Sequence, residues 1–199
     1  MLALIMAGGL GTRMNLGEKP LLTIGKRPML SYVISAFEDA GFDILVVVTK
    51  KVPMTKNWCR ANGIEIYQSE GIGYVEDLIN CITDIGEEAP FFSCVSDIPG
   101  ITPQIINKIS GIYDNSGMQA CSVWVPQALF NENNCKCNYH EKINDIVCCP
   151  VGLNILDGAD ICNEQEELKV LLNEPALTFN VNTQEELKRA EIYFKTIFS

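Results

Sequence analysis

The sequence has no long hydrophobic run, although 47% of its 199 residues are hydrophobic. Its purest apolar stretch, Ile44-Leu45-Val46-Val47-Val48, suits a buried strand and is far shorter than the ~20 residues that a membrane-spanning helix needs. The first residues also lack the basic region and cleavage signal of a secretory leader. We therefore expect no membrane span and a cytoplasmic location.

Positive charge is also scarce. Fifteen Lys and Arg against 25 Asp and Glu give a formal net charge of −10, which argues against general nucleic-acid binding, because such binding depends on a basic surface. The cations are unevenly placed, since residues 1–60 hold eight of them against four acids. We expect a local anion site in this part of the chain, with chance clustering of surface charge as the alternative.

The nine cysteines show none of the paired C-x-x-C or H-x-x-x-H spacings typical of structural zinc sites. Cys135-x-Cys137-x-x-His140 and Cys148-Cys149 are close in sequence but do not match those spacings, so we favour no metal there. Free thiols are expected in a protein without signs of secretion. Five cysteines among apolar residues are expected in the core: Cys59, Cys81, Cys94, Cys121 and Cys162.

The most informative stretch is the N-terminal one, where an apolar strand over residues 2–7 runs into Gly8-Gly9-Leu10-Gly11-Thr12-Arg13-Met14. Glycines let backbone N–H groups approach an anion closely, so this turn predicts a phosphate cradle. Arg13 and Lys19 add a planar fork and a mobile point charge, which together suit a polyphosphate. The turn matches neither a Walker A loop nor the dinucleotide fingerprint G-x-G-x-x-G. An ordinary glycine-rich turn between a strand and a helix is the alternative.

Apolar periodicity in the rest of the chain alternates between strands and helices. Strands are predicted over residues 43–49, 63–68, 91–96, 119–126, 151–156 and 176–181. Helices are predicted from Met29 to near Gly41, from Tyr74, over 103–113, over 163–173 and from the capping box Thr183-x-x-Glu186 to the C-terminus. This alternation predicts one α/β domain over residues 1–199, a Rossmann-like three-layer αβα sandwich with a mostly parallel sheet. Residues 127–149 are predicted to form an irregular cysteine-rich loop.

Residues that follow parallel strands meet at one edge of a sheet and are therefore candidates for a shared site. Asp97 follows a strand and is a sufficient anchor for Mg²⁺, which takes one or two carboxylates plus substrate phosphates. Turn chemistry before Pro99 is the alternative. Gly152 inside a strand indicates the close approach of a ligand, with a bulge as the alternative. Asn182 precedes the last capping box and is placed to offer an oxygen to a metal or ligand.

In this order, the features resemble the nucleotidyltransferase superfamily of sugar-nucleotide pyrophosphorylases and molybdenum-cofactor guanylyltransferases, over the full length of the chain. The details look most like the archaeal adenosylcobinamide-phosphate guanylyltransferases. They are Glu18-Lys19-Pro20-Leu21, Gly71-x-Gly73-Tyr74-x-Glu76-Asp77-Leu78, Pro150-x-Gly152-x-Asn154 and Phe179-Asn180-x-Asn182-Thr183. The resemblance implies the nucleotide-diphospho-sugar transferase fold and transfer of GMP from GTP to adenosylcobinamide phosphate, with release of pyrophosphate, in cobalamin biosynthesis. The stretch from Asn131 to Cys149 departs from the family pattern.

The resemblance and this chemistry together imply roles for named residues. Arg13, Lys19 and Asp97 are the predicted catalytic residues. Nucleotide binding is predicted at Ala7, Gly8, Gly9, Gly11, Thr12, Arg13, Lys19, Thr49, Ser69, Gly71, Gly73, Asp97 and Gly152, and Mg²⁺ binding at Asp97 and Asn182. The expected partners are GTP and a corrinoid phosphate, and a homodimer is left open. The alternatives are a molybdenum-cofactor guanylyltransferase, another NTP nucleotidyltransferase, or a non-catalytic nucleotide-binding subunit.

Overall fold

The computed structural model of the protein describes residues 1–9, 11 and 16–195. The strands in this part are β1 (Leu2–Met6), β2 (Thr23–Ile24), β3 (Arg27–Pro28), β4 (Asp43–Thr49), β5 (Ile66–Ser69), β6 (Pro90–Val95), β7 (Ala120–Pro126), β8 (Glu141–Ile143), β9 (Ile146–Asp157) and β10 (Glu167–Leu171). The α-helices are α1 (Met29–Asp39), α2 (Pro53–Ala61), α3 (Tyr74–Ile85), α4 (Pro103–Asp114), α5 (Gln127–Glu132) and α6 (Gln184–Lys195). Short 3₁₀ helices cover Lys19–Leu21 and Pro175–Thr178.

One large sheet has the strand order β10-β7-β9-β6-β1-β4-β5, with β8 paired to β9. The strands β6, β1, β4 and β5 are mutually parallel, β9 is antiparallel to β6 and β7, and β10 is parallel to β7. The chain moves from β1 outwards to β4 and β5, and then returns to place β6 on the other side of β1. Such a reversal forms a crevice at the carboxyl edge of a parallel sheet. The predicted α/β architecture with a mostly parallel sheet is confirmed.

Helices cover the two faces of this sheet unequally. On one face a large core contains buried residues from five helices, such as Phe37, Cys59, Ile106, Phe130 and Phe194. On the other face a smaller core unites Leu78, Cys81 and Ile82 of α3 with strand residues. Among the described helices, α3 alone contributes to this second core. The second helical layer is therefore narrow.

Helix α3 begins and ends where its sequence dictates. Gly73 is its extended N-cap, and the positive end of the helix dipole stabilises the acidic Glu76 and Asp77 in the first turn. Gly86 ends the helix in the left-handed conformation, with φ +67°, that glycine adopts most easily. The helix is thus fixed with its N-terminus at the carboxyl edge of the sheet. Among the residues described, no helix has the length and hydrophobicity to span a bilayer.

Two predicted elements are wrong. The helix predicted over 163–173 is instead β10, because residues 167–171 pair with β7 from Ala120 to Trp124. The strand predicted over 176–181 contains the 3₁₀ helix Pro175–Thr178, whose hydrogen bonds are local: Leu177 N–H donates to the Glu174 carbonyl at 3.1 Å. In both cases tertiary contacts override the local pattern of apolar residues.

The cysteine-rich segment is more regular than predicted. Residues 127–149, expected to be an irregular loop, contain α5, β8 and the start of β9. Cys137 and Cys149 form a disulfide, so the expectation of free thiols is wrong for this pair. The other seven cysteines are free, and all but Cys162 are buried. The prediction of core cysteines is therefore confirmed for Cys59, Cys81, Cys94 and Cys121 and is wrong for Cys162.

The number of reactive thiols in this protein can be measured. Burial raises the pKa of Cys59 to about 11 and that of Cys81 and Cys121 to about 12, so these thiols stay protonated and unreactive. With Ellman's reagent at about pH 8 we expect one fast thiol in the native protein, Cys162. After denaturation we expect seven thiols without reductant and nine with it. Nine thiols without reductant would contradict the disulfide, and Cys162→Ser is the control that should abolish the fast reaction.

Candidate active site

Three of the predicted site residues, distant in sequence, meet at the carboxyl edge of the sheet. The Lys19 ammonium forms an ion pair with Asp97 Oδ2 and donates a hydrogen bond of 2.7 Å to Asn182 Oδ1. The side chains of Lys19 and Asp97 are only 13% and 11% exposed. Solvent and salt screen a partly buried pair much less than a surface pair. Lys19 is therefore held in one position.

Backbone contacts bring these three residues together. Asp97 follows β6, which pairs with β1 so that Val95 lies opposite Met6. The Val181 N–H donates to the Asp97 carbonyl at 3.2 Å, which places the next residue, Asn182, beside the carboxylate. The ends of the two central strands and the segment before α6 are thereby joined.

One oxygen of Asp97 has no partner. Asp97 Oδ1 is buried and accepts no hydrogen bond from any residue in the described part of the chain. A buried carboxylate oxygen without a partner is costly, and Mg²⁺ prefers oxygens of this kind. The predicted metal site therefore fits Asp97 Oδ1, whereas Asn182 Oδ1 already accepts from Lys19. No cluster of three or more metal-binding side chains occurs in the described ranges, so substrate oxygens and water would have to complete the coordination.

Asn182 is itself held by a hydrogen-bond network. Its side-chain amide donates to Asn180 Oδ1 at 2.6 Å, and its backbone N–H donates to Glu186 Oε2 at 2.8 Å. The predicted capping box is half confirmed, since Glu186 N–H donates to the Thr183 hydroxyl at 3.2 Å. The Glu186 carboxylate bonds the backbone of Asn182, one residue before the cap. Because of this hydrogen bond, α6 orients Asn182 towards Lys19.

The glycines of the first turn have different neighbours. A Cβ on Gly8 would lie 2.6 Å from Thr49 Cγ2, and one on Gly11, which has φ +60°, would lie 2.9 Å from Lys19 Cβ. A Cβ on Gly9 would meet no described residue within 4 Å. The predicted phosphate contacts of these glycines stay predictions. Two further predicted binding residues, Thr12 and Arg13, lie outside the described residues.

Some predicted nucleotide-binding groups already have structural partners. The backbone N–H of Ala7 donates to Val47 at 2.8 Å, and the Ser69 hydroxyl donates to Val48 at 3.3 Å. The Thr49 hydroxyl donates to the Gly8 carbonyl at 3.2 Å. A second glycine turn, Gly71-Ile72-Gly73, leads into α3, and a Cβ on Gly71 would lie 3.3 Å from Thr49. Thr49 thus contacts both glycine turns.

The second glycine turn is held by Asp77, whose role sequence reasoning missed. Asp77 Oδ1 accepts hydrogen bonds from the N–H groups of Gly71 at 3.0 Å and Ile72 at 3.3 Å. Gly71 has φ +74°, which favours glycine. An acidic residue in the first turn after a Gly-x-Gly turn is the sequence signal that indicates such a contact.

Gly152 has a structural explanation of its own. It lies in β9 where the register with β7 shifts, between Ser122 and Trp124, and it has φ +77°. A Cβ there would lie 2.8 Å from Val95 Cγ2. The bulge that was the alternative explanation is therefore present, and nucleotide binding at Gly152 stays a prediction. Its neighbour Val95 places it close to Asp97.

Glu18 is a second residue whose role the sequence did not indicate. Its carboxylate accepts from Met54 N–H at 2.8 Å, Thr55 N–H at 2.5 Å and the Thr55 hydroxyl at 2.6 Å. These groups begin α2, a helix that the apolar periodicity did not predict. Glu18 therefore caps a distant helix and fixes the position of the adjacent Lys19. No local signal reveals a cap that comes from so far away in sequence.

Known proteins resemble this chain in sequence and in fold. The pattern of the MobA-like NTP transferase domain matches residues 3–188. The chain is 31% identical to the adenosylcobinamide-phosphate guanylyltransferase of Methanocaldococcus jannaschii, over 97% of both chains. The fold is similar to that of molybdopterin-guanine dinucleotide biosynthesis protein A from Archaeoglobus fulgidus, with TM-score 0.70 and 15% identity over 98% of this chain and 100% of that one. It is also similar to a CMP:2-keto-3-deoxy-manno-octonic acid synthetase complexed with CTP, with TM-score 0.71 and 14% identity over 98% and 99% of the two chains. At these identities the two structures show the fold alone.

The Glu18 contact gives a prediction about stability. In Glu18→Ala the first turn of α2 loses its acceptor, and we expect the free energy of unfolding to fall by about 1–2 kcal/mol. Calorimetry should then show a melting temperature lower by about 2–8 °C. The control is Glu70→Ala, which removes a carboxylate whose partner Lys50 is exposed, and a change below about 0.5 kcal/mol is expected. Equal melting temperatures for the two variants would refute the capping role of Glu18.

Proposed function

This chain belongs to the MobA-like NTP transferase family, and from that premise we propose that it transfers GMP from GTP to adenosylcobinamide phosphate. The products are adenosylcobinamide-GDP and pyrophosphate, and the reaction serves cobalamin biosynthesis. The observation that carries the proposal is the 31% identity, over 97% of both chains, to a protein named for this activity. The cluster of Lys19, Asp97 and Asn182 supports it, because a cation and a carboxylate at a strand switch point suit a polyphosphate.

The reaction is an in-line displacement at the α-phosphorus of GTP. A phosphate oxygen of the acceptor forms the new P–O bond while the bond from the α-phosphorus to the departing pyrophosphate breaks. The attacking phosphate oxygen is anionic at neutral pH, so the protein needs no general base. Its work is to hold two anionic substrates together and to neutralise charge.

We assign the turn amides of Gly8, Gly9 and Gly11 to the triphosphate, and Arg13 and Lys19 to the charge that develops on pyrophosphate. Lys19 has three N–H donors, of which Asp97 and Asn182 take two within the described residues, so one is available for a phosphate oxygen. Mg²⁺ at Asp97 Oδ1, when bound, would neutralise phosphate charge. By the family resemblance, Thr49 and the turn from Gln68 to Gly73 surround the guanosine. A cytoplasmic location and a homodimer stay predictions.

The acceptor assay tests the proposal. Pyrophosphate release from GTP should depend on adenosylcobinamide phosphate and should be absent with molybdopterin as acceptor. Release with molybdopterin alone would favour a molybdenum-cofactor guanylyltransferase, which the fold similarity to the Archaeoglobus protein makes the second candidate. If pyrophosphate is released with neither of the two acceptors but calorimetry shows that GTP binds, the protein would be a non-catalytic nucleotide-binding subunit.

Asp97→Asn tests the assigned metal anchor. The variant keeps an oxygen for Lys19 but removes the negative charge that a divalent cation needs, so we expect turnover to fall by at least about 100-fold. Pyrophosphate release, measured over a series of Mg²⁺ concentrations, should show this loss at every concentration.

The matched control is Asp114→Asn, on the exposed end of α4, which should keep full activity. A melting curve like that of the unchanged protein separates a loss of chemistry from a loss of fold. Turnover within twofold of the unchanged protein would remove Asp97 from the mechanism.

A further inference from the structure

A groove with a volume of 360 Å³ opens on the thinly covered face of the sheet. It lies between α3 and the crossover of residues 158–166, which leads from β9 to β10 and contains no helix. The helix predicted over 163–173 would have covered this face. Because the crossover makes only turns before β10, the strands beneath it remain accessible.

The walls of the groove are apolar and its outer rim is polar. The walls include Val75, Leu78 and Ile79 of α3 together with Leu156 and Ile161. Val75 is 59% exposed, and the neighbouring Ile72 is 70% exposed, so the apolar surface continues beyond the groove towards the second glycine turn. Single exposed apolar residues are ordinary, but a contiguous patch beside a cleft indicates a binding surface.

One end of the groove points towards the candidate active site. The Tyr74 hydroxyl lies 2.9 Å from the Ser93 hydroxyl, and both residues line the groove. Ser93 belongs to β6, the strand that leads into Asp97. Burial and the nearby Asp97 charge raise the pKa of Tyr74 to about 12, so its hydroxyl stays neutral and can donate a hydrogen bond. A molecule in the groove would therefore extend towards the catalytic cluster.

The rim restricts the charge of such a molecule. Glu164 and Glu167 line the groove and are exposed, so a second anionic body would be repelled. The side-chain amides of Asn154, Asn163 and Gln165 offer hydrogen bonds to neutral amides. The corrinoid body of the acceptor has an apolar macrocycle, neutral amide side chains and a formal positive charge at its Co(III) corrin centre, and its single phosphate is on a flexible arm. This chemistry matches the walls, the rim and the position of the groove.

We infer that the groove binds one edge of the corrinoid body of the acceptor, while the arm delivers its phosphate to the end near Asp97. This inference rests on the proposed function, because it assigns a binding surface to that reaction's second substrate. The occupant is thus a molecule whose body is apolar at its edge and carries no negative charge, and GTP has no part in this surface.

The test is a charge placed on the apolar wall. Val75→Asp adds a carboxylate in the first turn of α3, where the helix dipole tolerates it, so the fold should be retained. The KM for adenosylcobinamide phosphate should rise about tenfold or more, because the apolar body must then desolvate a charge. The Kd for GTP, measured by calorimetry without acceptor, should be unchanged. The matched control is Ile192→Asp on α6, which is 73% exposed and does not line the groove, and whose KM should stay within twofold.

A second measurement uses cobinamide, which lacks the phosphate. Cobinamide should inhibit the unchanged protein competitively with the acceptor and not with GTP, and the Val75→Asp variant should lose this inhibition. Equal KM values for the two variants, or no inhibition by cobinamide, would overturn the groove assignment while the transferase activity stands. Failure of the unchanged protein to use adenosylcobinamide phosphate at all would instead overturn the proposed function, and the groove assignment with it.

Discussion

The partly buried ion pair between Lys19 and Asp97 is the contact on which the site depends. A buried charge is tolerated only with a partner in good geometry, so the two residues constrain the elements that carry them. Those elements are the 3₁₀ helix after β1 and the loop after β6, which leave the sheet side by side at the point where the strand order reverses. Asn182 brings a third segment to the same point and is itself oriented by Glu186. One electrostatic requirement thereby assembles residues from the start, middle and end of the chain.

The two faces of the sheet differ in how helices cover them and in what they contribute to the site. The face with five helices supplies most of the buried apolar area, and it positions the loops at the carboxyl edge. The other face has α3 as its one described helix, and β9 reaches β10 without a helix in between. Residues 1–60 carry more cations than acids, whereas acids dominate the remainder of the chain, including the groove rim. The proposed anionic nucleotide and the non-anionic body of the proposed acceptor would accordingly be favoured at different parts of the protein.

The pattern of apolar residues predicted those strands and helices that neighbouring residues in the sequence determine. The strand predicted over residues 43–49 is β4, and the helix predicted from Tyr74 is α3, because an unbroken β-branched run and a helical apolar face admit few other solutions. The meeting of Lys19 and Asp97 was predictable in outline, since they follow β1 and β6 of the parallel sheet, whereas Asn182 follows a 3₁₀ helix and is placed by the contact of Val181 with Asp97. The Glu18 cap, the Cys137–Cys149 disulfide and β10 were not, because each depends on a partner distant in sequence.

The glycines of the first turn do not share one physical explanation. Gly8 and Gly11 are required by packing, since a side chain at either would strike Thr49 or Lys19. Among the described residues, nothing lies within 4 Å of a Cβ built on Gly9, so packing by these residues does not explain it, and its predicted phosphate contact stays a prediction. Because Gly8 and Gly11 pack against Thr49 and Lys19, these two glycines would be needed even without a substrate. Their presence alone is therefore weaker support for a phosphate site than the geometry of Lys19 and Asp97.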